Sequence, residues 1–256
     1  DCAGVSGIDK NESSSLINTA INDGAQIISI SSSYAGGSKA LKWAIARAMS
    51  QGIVIAAAAG NDAKNETDVT YEKWSGVIGV TAIDTDGNFQ DYSSWGEGVV
   101  SAAVGGPVKI RDYSSGELVT TSGTSASTPL VAGSLALARQ KWPQATTNQL
   151  LQLLIHTGTN PDHTWNKYTG YGAIDGGALV NTDPSQYPDE NPIIQKNGGS
   201  EPTAQEVQDY IDGVAGSSWL DSFPDTYVYR GADQGVVYDH GSIPVHLGTS
   251  PRYHRK

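Results

Sequence analysis

"GIVIAAAAG", Gly52 to Gly60, is an unbroken apolar run closed at both ends by glycine. It keeps no polar face for water. It is also well short of the ~18 residues that a membrane-crossing helix needs. A short run of this kind reads as a strand covered on both sides, the situation of strands in parallel sheets with helices above and below. The rest of the chain must therefore supply neighbouring strands to pair with it and helices to cover it.

Those neighbours are legible. From Ser13 to Asp23 the apolar residues Leu16, Ile17, Ala20 and Ile21 recur at helical spacing, and Gly24 stops the pattern. "AQIISISSS" follows as a strand with Ile27, Ile28 and Ile30. "SKALKWAIARAMSQG" predicts a helix capped by Ser38, with Leu41, Ile45, Ala48 and Met49 inward. "GVIGVTAID" is a further strand, and a helix runs from about Ser125 to Trp142 with Pro129 in its first turns. "TTNQLLQLLIHTG" is a shorter one. Alternating strands and helices predict an α/β sheet with right-handed crossovers. Sites in such sheets lie at the carboxyl ends of strands, where "AAGND" is found.

After Asn181 the character changes. "NTDPSQYPDENP" sets three prolines among acids and reads as a linker or a surface strap. Thr203 and Glu206 form a capping-box pattern, and "DTYVYRG" and "GVVYDHG" resemble short strands ahead of a basic tail, "SPRYHRK". The expected division is a domain over 1–181 and a linker with a small accessory extension over 182–256. A net charge of −11 argues against nucleic acid as a partner. The single Cys2 excludes an internal disulfide framework and a cysteine zinc site, and no transmembrane segment is present in the stretch.

"SGTSASTPLVAG", Ser122 to Gly133, crowds Ser122, Thr124, Ser125, Ser127 and Thr128 at the start of an apolar helix. One capping oxygen suffices for a helix, so the surplus points to chemistry. This motif resembles the nucleophile motif of the subtilisin-like serine proteases, the subtilase or S8 peptidase family. "DGAQIISISSSYAGGSKALKWAIARAMSQGIVIAAAAGND", "YSSWG" and "GYGAID" match family landmarks in order, over roughly residues 13 to 180.

The resemblance implies a three-layer, doubly wound, mostly parallel sheet and a secreted or cell-surface serine endopeptidase acting on peptide or protein substrates. It makes Ser125 the nucleophile and Asn61 the donor to the oxyanion. Ser31, Ser32 and Ser33 become the strand edge that pairs with substrate, Ala58, Ala59 and Gly60 the opposing wall, and Gly123 and Thr124 the flank of the nucleophile. The family's usual Ser-Leu-Gly is replaced by Ser-Ser-Ser, which argues against a broad apolar preference.

A serine needs a base and the base a carboxylate. In the family both precede the oxyanion residue, yet His156, His163, His240, His246 and His254 all follow Ser125. The expectation is that this is the carboxyl-terminal part of a domain whose Asp and His lie upstream, so that the polypeptide as it stands is inactive. Two alternatives remain: a non-catalytic subtilase-like binding or structural module, and an esterase-type serine hydrolase, which lacks support because Ser125 has no Gly-x-Ser-x-Gly setting. No cofactor is required. Structural calcium is compatible with the family, but "DTDGN", Asp84 to Asn88, lacks the acidic residue a calcium loop needs and reads as a hairpin turn, so no metal ligand is assigned.

Overall fold

The computed structural model describes residues 12–33, 39–66, 70–112, 114–196 and 201–212. Its centre is a four-stranded parallel sheet of β1 (Ile27–Ile30), β2 (Val54–Ala58), β3 (Val77–Ile83) and β4 (Val99–Val104), in chain order. The apolar run is β2, with every residue buried. Successive side chains of a strand face opposite ways, so β2 serves two cores. Ile55 and Ala57 pack with Ile17 and Ile21 of α1 (Glu12–Asn22) and Leu41, Ala44 and Ile45 of α2 (Lys39–Ser50). Val54 and Ala56 face α3 (Thr124–Lys141) and α4 (Thr147–Thr157), meeting Val131, Leu135, Leu151 and Leu154. Helix, sheet, helix: the three layers of an α/β fold are present. Each fully buried Leu or Ile contributes about 1.5–3 kcal/mol to holding them together.

The predicted helices and the three predicted strands that fall on described residues all form. Sequence reading missed β4, whose "VVSAAV" has little bulk, and the antiparallel hairpin of β5 (Val108–Arg111) and β6 (Leu118–Thr121), which is mostly exposed. In the Asp84 turn, Asp84 Oδ1 accepts from the N–H groups of Asp86 and Asn88, and Ile83 bridges antiparallel to Phe89. Among the described residues no group of three or more His, Cys, Asp or Glu is placed to hold a metal ion. No described helix is long and apolar enough to cross a membrane.

Beyond α5 (Gly176–Asn181) the described residues, 182–196 and 201–212, stay on the body. Thr146 Oγ1 donates to Asp189 Oδ1 at 2.6 Å, Gln152 Nε2 donates to the Glu190 carbonyl, and Ile193 enters the α3 core. The final described helix, α6 (Ala204–Ile211), starts in the expected capping box of Thr203 and Glu206. It lies on α2, with Tyr210 stacked on Trp43 and Lys42 paired with Glu206 at 2.6 Å. Ser38, the two strand-like segments beyond residue 225, the basic tail and His240, His246 and His254 lie outside the described residues.

Candidate active site

The five crowded hydroxyls have five different surroundings. The N-cap of α3 is Gly123, which makes no side-chain capping bond, so the helix begins one residue earlier than predicted and Ser125 is its second residue. Thr128 is buried and returns its hydroxyl proton to the Thr124 carbonyl at 2.8 Å. Ser127 is buried with no hydrogen-bond partner among the described residues. Ser122 is exposed. Thr124 is buried and accepts from the Gly60 N–H at 3.2 Å. Ser125 is exposed at the positive end of the helix, its hydroxyl not used as a cap.

Asn61 follows β2 and is exposed. Its Oδ1 accepts from the Thr124 N–H at 2.8 Å and from Thr124 Oγ1 at 3.1 Å. With its oxygen fixed inward by two donors, the amide must present Nδ2 outward. Gly123 shows where that nitrogen points. A Cβ at this glycine, which sits at φ +154, would lie 3.1 Å from Ser125 Oγ and 3.3 Å from Asn61 Nδ2. Hydroxyl and amide therefore flank one open point, although 64 residues of chain separate Asn61 from Ser125. Gly123 is anchored from behind by donating its N–H to the Gly105 carbonyl at 2.7 Å.

The serine run lies directly beside this point. β1 ends at Ile30, and Ser31–Ser33 continue past it, the first two exposed and Ser33 half-buried. Ser31 Oγ donates to the Ser125 carbonyl at 3.0 Å. That carbonyl is available because the residue four places on is Pro129, which has no N–H to take it up. Ser33 is held by the Tyr71 N–H at 2.9 Å, and its Cβ lies 3.4 Å from the position a Cβ on Gly60 would take. Ala58, Ala59 and Gly60 form the facing segment, all buried. Beneath Gly60 lie Ser94 Oγ and Glu66 Oε1, bonded to each other at 3.2 Å. Sequence reading gave neither of these a place; only the "YSSWG" landmark hinted at Ser94.

All ten sequence-predicted site residues thus come together at the carboxyl ends of β1 and β2 and the start of α3. One of them has a further part: Thr124, expected beside the substrate at the flank of the nucleophile, also holds Asn61 through its two donors. The two described histidines are elsewhere in their contacts: His156 stacks on Tyr187 with ring centres 4.8 Å apart, and His163 Nδ1 faces the Gly158 carbonyl at 3.3 Å. Neither bonds to Ser125 among the described residues.

The model of the subtilase family matches residues 4–172. A thermostable alkaline protease of Halalkalibacterium halodurans is 35% identical over 187 residues, 70% of this chain and 49% of the relative. Subtilisin DY of Bacillus licheniformis is 35% identical over 161 residues, covering 62% of this chain and 58% of its own. The chain spans about half the length of the curated relatives it matches. Among solved structures, fervidolysin from Fervidobacterium pennivorans, a keratinolytic enzyme related to subtilisin, superposes with a TM-score of 0.58 at 27% identity, over 71% of this chain and 29% of that one. The prenylagaramide maturation protease PagA gives 0.60 at 25% identity, over 68% and 67%.

Proposed function

The chain belongs to the subtilase family, and on that premise we propose that it is the nucleophile-bearing portion of a secreted serine endopeptidase. The observation that carries the reading is the shared point in front of Gly123, flanked by Ser125 Oγ and Asn61 Nδ2. Ser125 Oγ attacks the scissile carbonyl carbon there, and its proton passes to a general base. The carbonyl oxygen becomes an oxyanion facing Asn61 Nδ2 and the Ser125 N–H at the start of α3. The carbon–nitrogen bond breaks as the base returns the proton to the leaving amine. Water then hydrolyses the acyl-Ser125 ester by the same route. Ser31–Ser33 pair with an extended peptide on one side and Ala58–Gly60 flank its side chain on the other.

The base and its orienting carboxylate come from polypeptide outside residues 1–256, seated where this chain leaves room. β1 has one unpaired edge among the described strands, and the nearby outer side of α3 exposes Leu130 and Leu137. On this reading residues 1–181 carry the peptidase portion and 182–256 form an extension to it. No cofactor enters the reaction.

The test is joining. The chain alone should leave a chromogenic peptide intact; joined to an upstream segment carrying the Asp and His motifs, it should cleave it. Ser125→Ala should abolish that cleavage, and Asn61→Ala should lower kcat by about 10²–10³, the loss measured on removing an oxyanion donor in a subtilisin. Cleavage by the unjoined chain, or by the joined Ser125→Ala variant, overturns the assignment.

A further inference from the structure

The mechanism makes no use of a buried lysine. Lys196 closes the segment 182–196, and its Nζ donates to three backbone carbonyls, those of Glu72, Val77 and, at 2.9 Å, Gly98. They belong to different places: a 3₁₀ turn (Tyr71–Lys73), the first residue of β3, and the approach to β4. Three carbonyl oxygens converging on one point repel one another unless a cation lies between them, and an ammonium offers three N–H donors to three acceptors. Burial pulls the Lys196 pKa down while the neighbouring Glu72 carboxyl pushes it back up. The convergence is possible because two positions lack side chains: a Cβ on Gly98 would strike the Glu72 backbone, and one on Gly79 the Gly98 carbonyl.

The nest is one residue away from the groove. Tyr71, next to Glu72, gives its N–H to Ser33, and Gly76, next to Val77, gives its N–H to the Ile193 carbonyl of the strap at 2.9 Å. We propose that Lys196 is a positioning residue, whose ammonium gathers the carbonyls of Glu72, Val77 and Gly98 and so holds the 71–77 turn against both Ser33 and the strap. The effect on the groove rests on the proteolytic reading above; the latch itself does not.

Amide hydrogen exchange on the full chain separates the two. Lys196→Met keeps the length and loses the charge. The amides of Tyr71 and Gly76 should then exchange about tenfold faster or more, as expected for lost hydrogen bonds to a charged group, with Leu153 in α4 unchanged. In Lys196→Ala, ammonium chloride should restore protection and tetramethylammonium chloride, which has no N–H, should not. Unchanged Tyr71 and Gly76 exchange in Lys196→Met, or equal action of the two salts, overturns the latch. If neither variant folds, competitive acetylation of the unaltered chain decides. Lys196 should then be the slowest of the lysines in the described segments, and reaction as fast as exposed Lys109 overturns the proposal. In the joined enzyme Lys196→Met should raise KM and spare kcat; an equal loss in kcat alone overturns the groove coupling. A joined enzyme inactive with Lys196 in place counts against the proteolytic reading and leaves the exchange result standing.

Discussion

At the scale of single residues, the site depends on which atoms are already engaged. On the proposed mechanism Asn61 serves a developing oxyanion because Thr124 occupies its oxygen twice, leaving the nitrogen to face outward. Thr124→Val removes one of those two donors and should reduce kcat of the joined enzyme roughly fivefold to tenfold, in line with one neutral hydrogen bond, with the folded state retained by circular dichroism. Gly123→Ala is the sharper probe. Its methyl would sit 3.1 Å from Ser125 Oγ and 3.3 Å from Asn61 Nδ2, in the space the reacting carbonyl needs, at a φ of +154. Cleavage should fall to the level of Ser125→Ala while the melting temperature shifts only by the backbone cost. That Ser125 and Asn61 belong together was legible from the family landmarks, and they do lie side by side; the use of Thr124 as a clamp was not legible, since no pattern in "GTS" says where the threonine hydroxyl turns.

Among the elements, α3 bears on both cores and chemistry. Its Leu135 is fully buried against the sheet, so Leu135→Ala should cost about 2–5 kcal/mol in denaturant unfolding through the cavity left behind. The 3₁₀ turn after residue 70 carries a titration. Burial, opposed by the Thr70 hydroxyl, the Lys196 charge and a backbone bond, pushes Glu72 up to about 7 from 4.5, with Glu66 adding to the rise. Between those values the folded chain holds a proton that the unfolded chain has released. This contribution to stability is therefore present at acid pH and lost as pH climbs from about 4.5 to 7. Glu72→Gln should flatten that part of the pH–stability curve; an unchanged slope would place the titration elsewhere. The β5–β6 turn behaves oppositely. Asp112 accepts from the Ser114 hydroxyl and from Ser115, which hold its carboxyl down at about 2, so the turn keeps its form until pH falls toward that value. Amide shifts of Ser114 and Ser115 should titrate near that pH. The hairpin escaped sequence reading because β5 alternates over only four residues, Val108 to Arg111, and β6, Leu118-Val119-Thr120-Thr121, does not alternate at all.

For the whole molecule, the sheet is a half-closed object. The edge of β1 that is unpaired among the described strands, and the exposed Leu130 and Leu137, are surfaces that a folded protein normally covers. The chain alone should therefore self-associate in size-exclusion chromatography, and joining an upstream segment should turn it monomeric; a clean monomer of the unjoined chain would contradict this. The sequence by itself determined the layers and the family. A short apolar run closed by glycines and rich in β-branched residues at its start reads as a strand covered on both sides, and a nucleophile motif is local, so both survive in one dimension. Tertiary structure alone decided what lies opposite what: that Pro129 frees a carbonyl for Ser31, that Thr124 aims the Asn61 amide, and that Lys196 reaches three carbonyls about a hundred residues earlier. Those contacts are set by packing between segments distant in the chain, and hydrogen bonds formed that way leave no periodic trace in the order of residues.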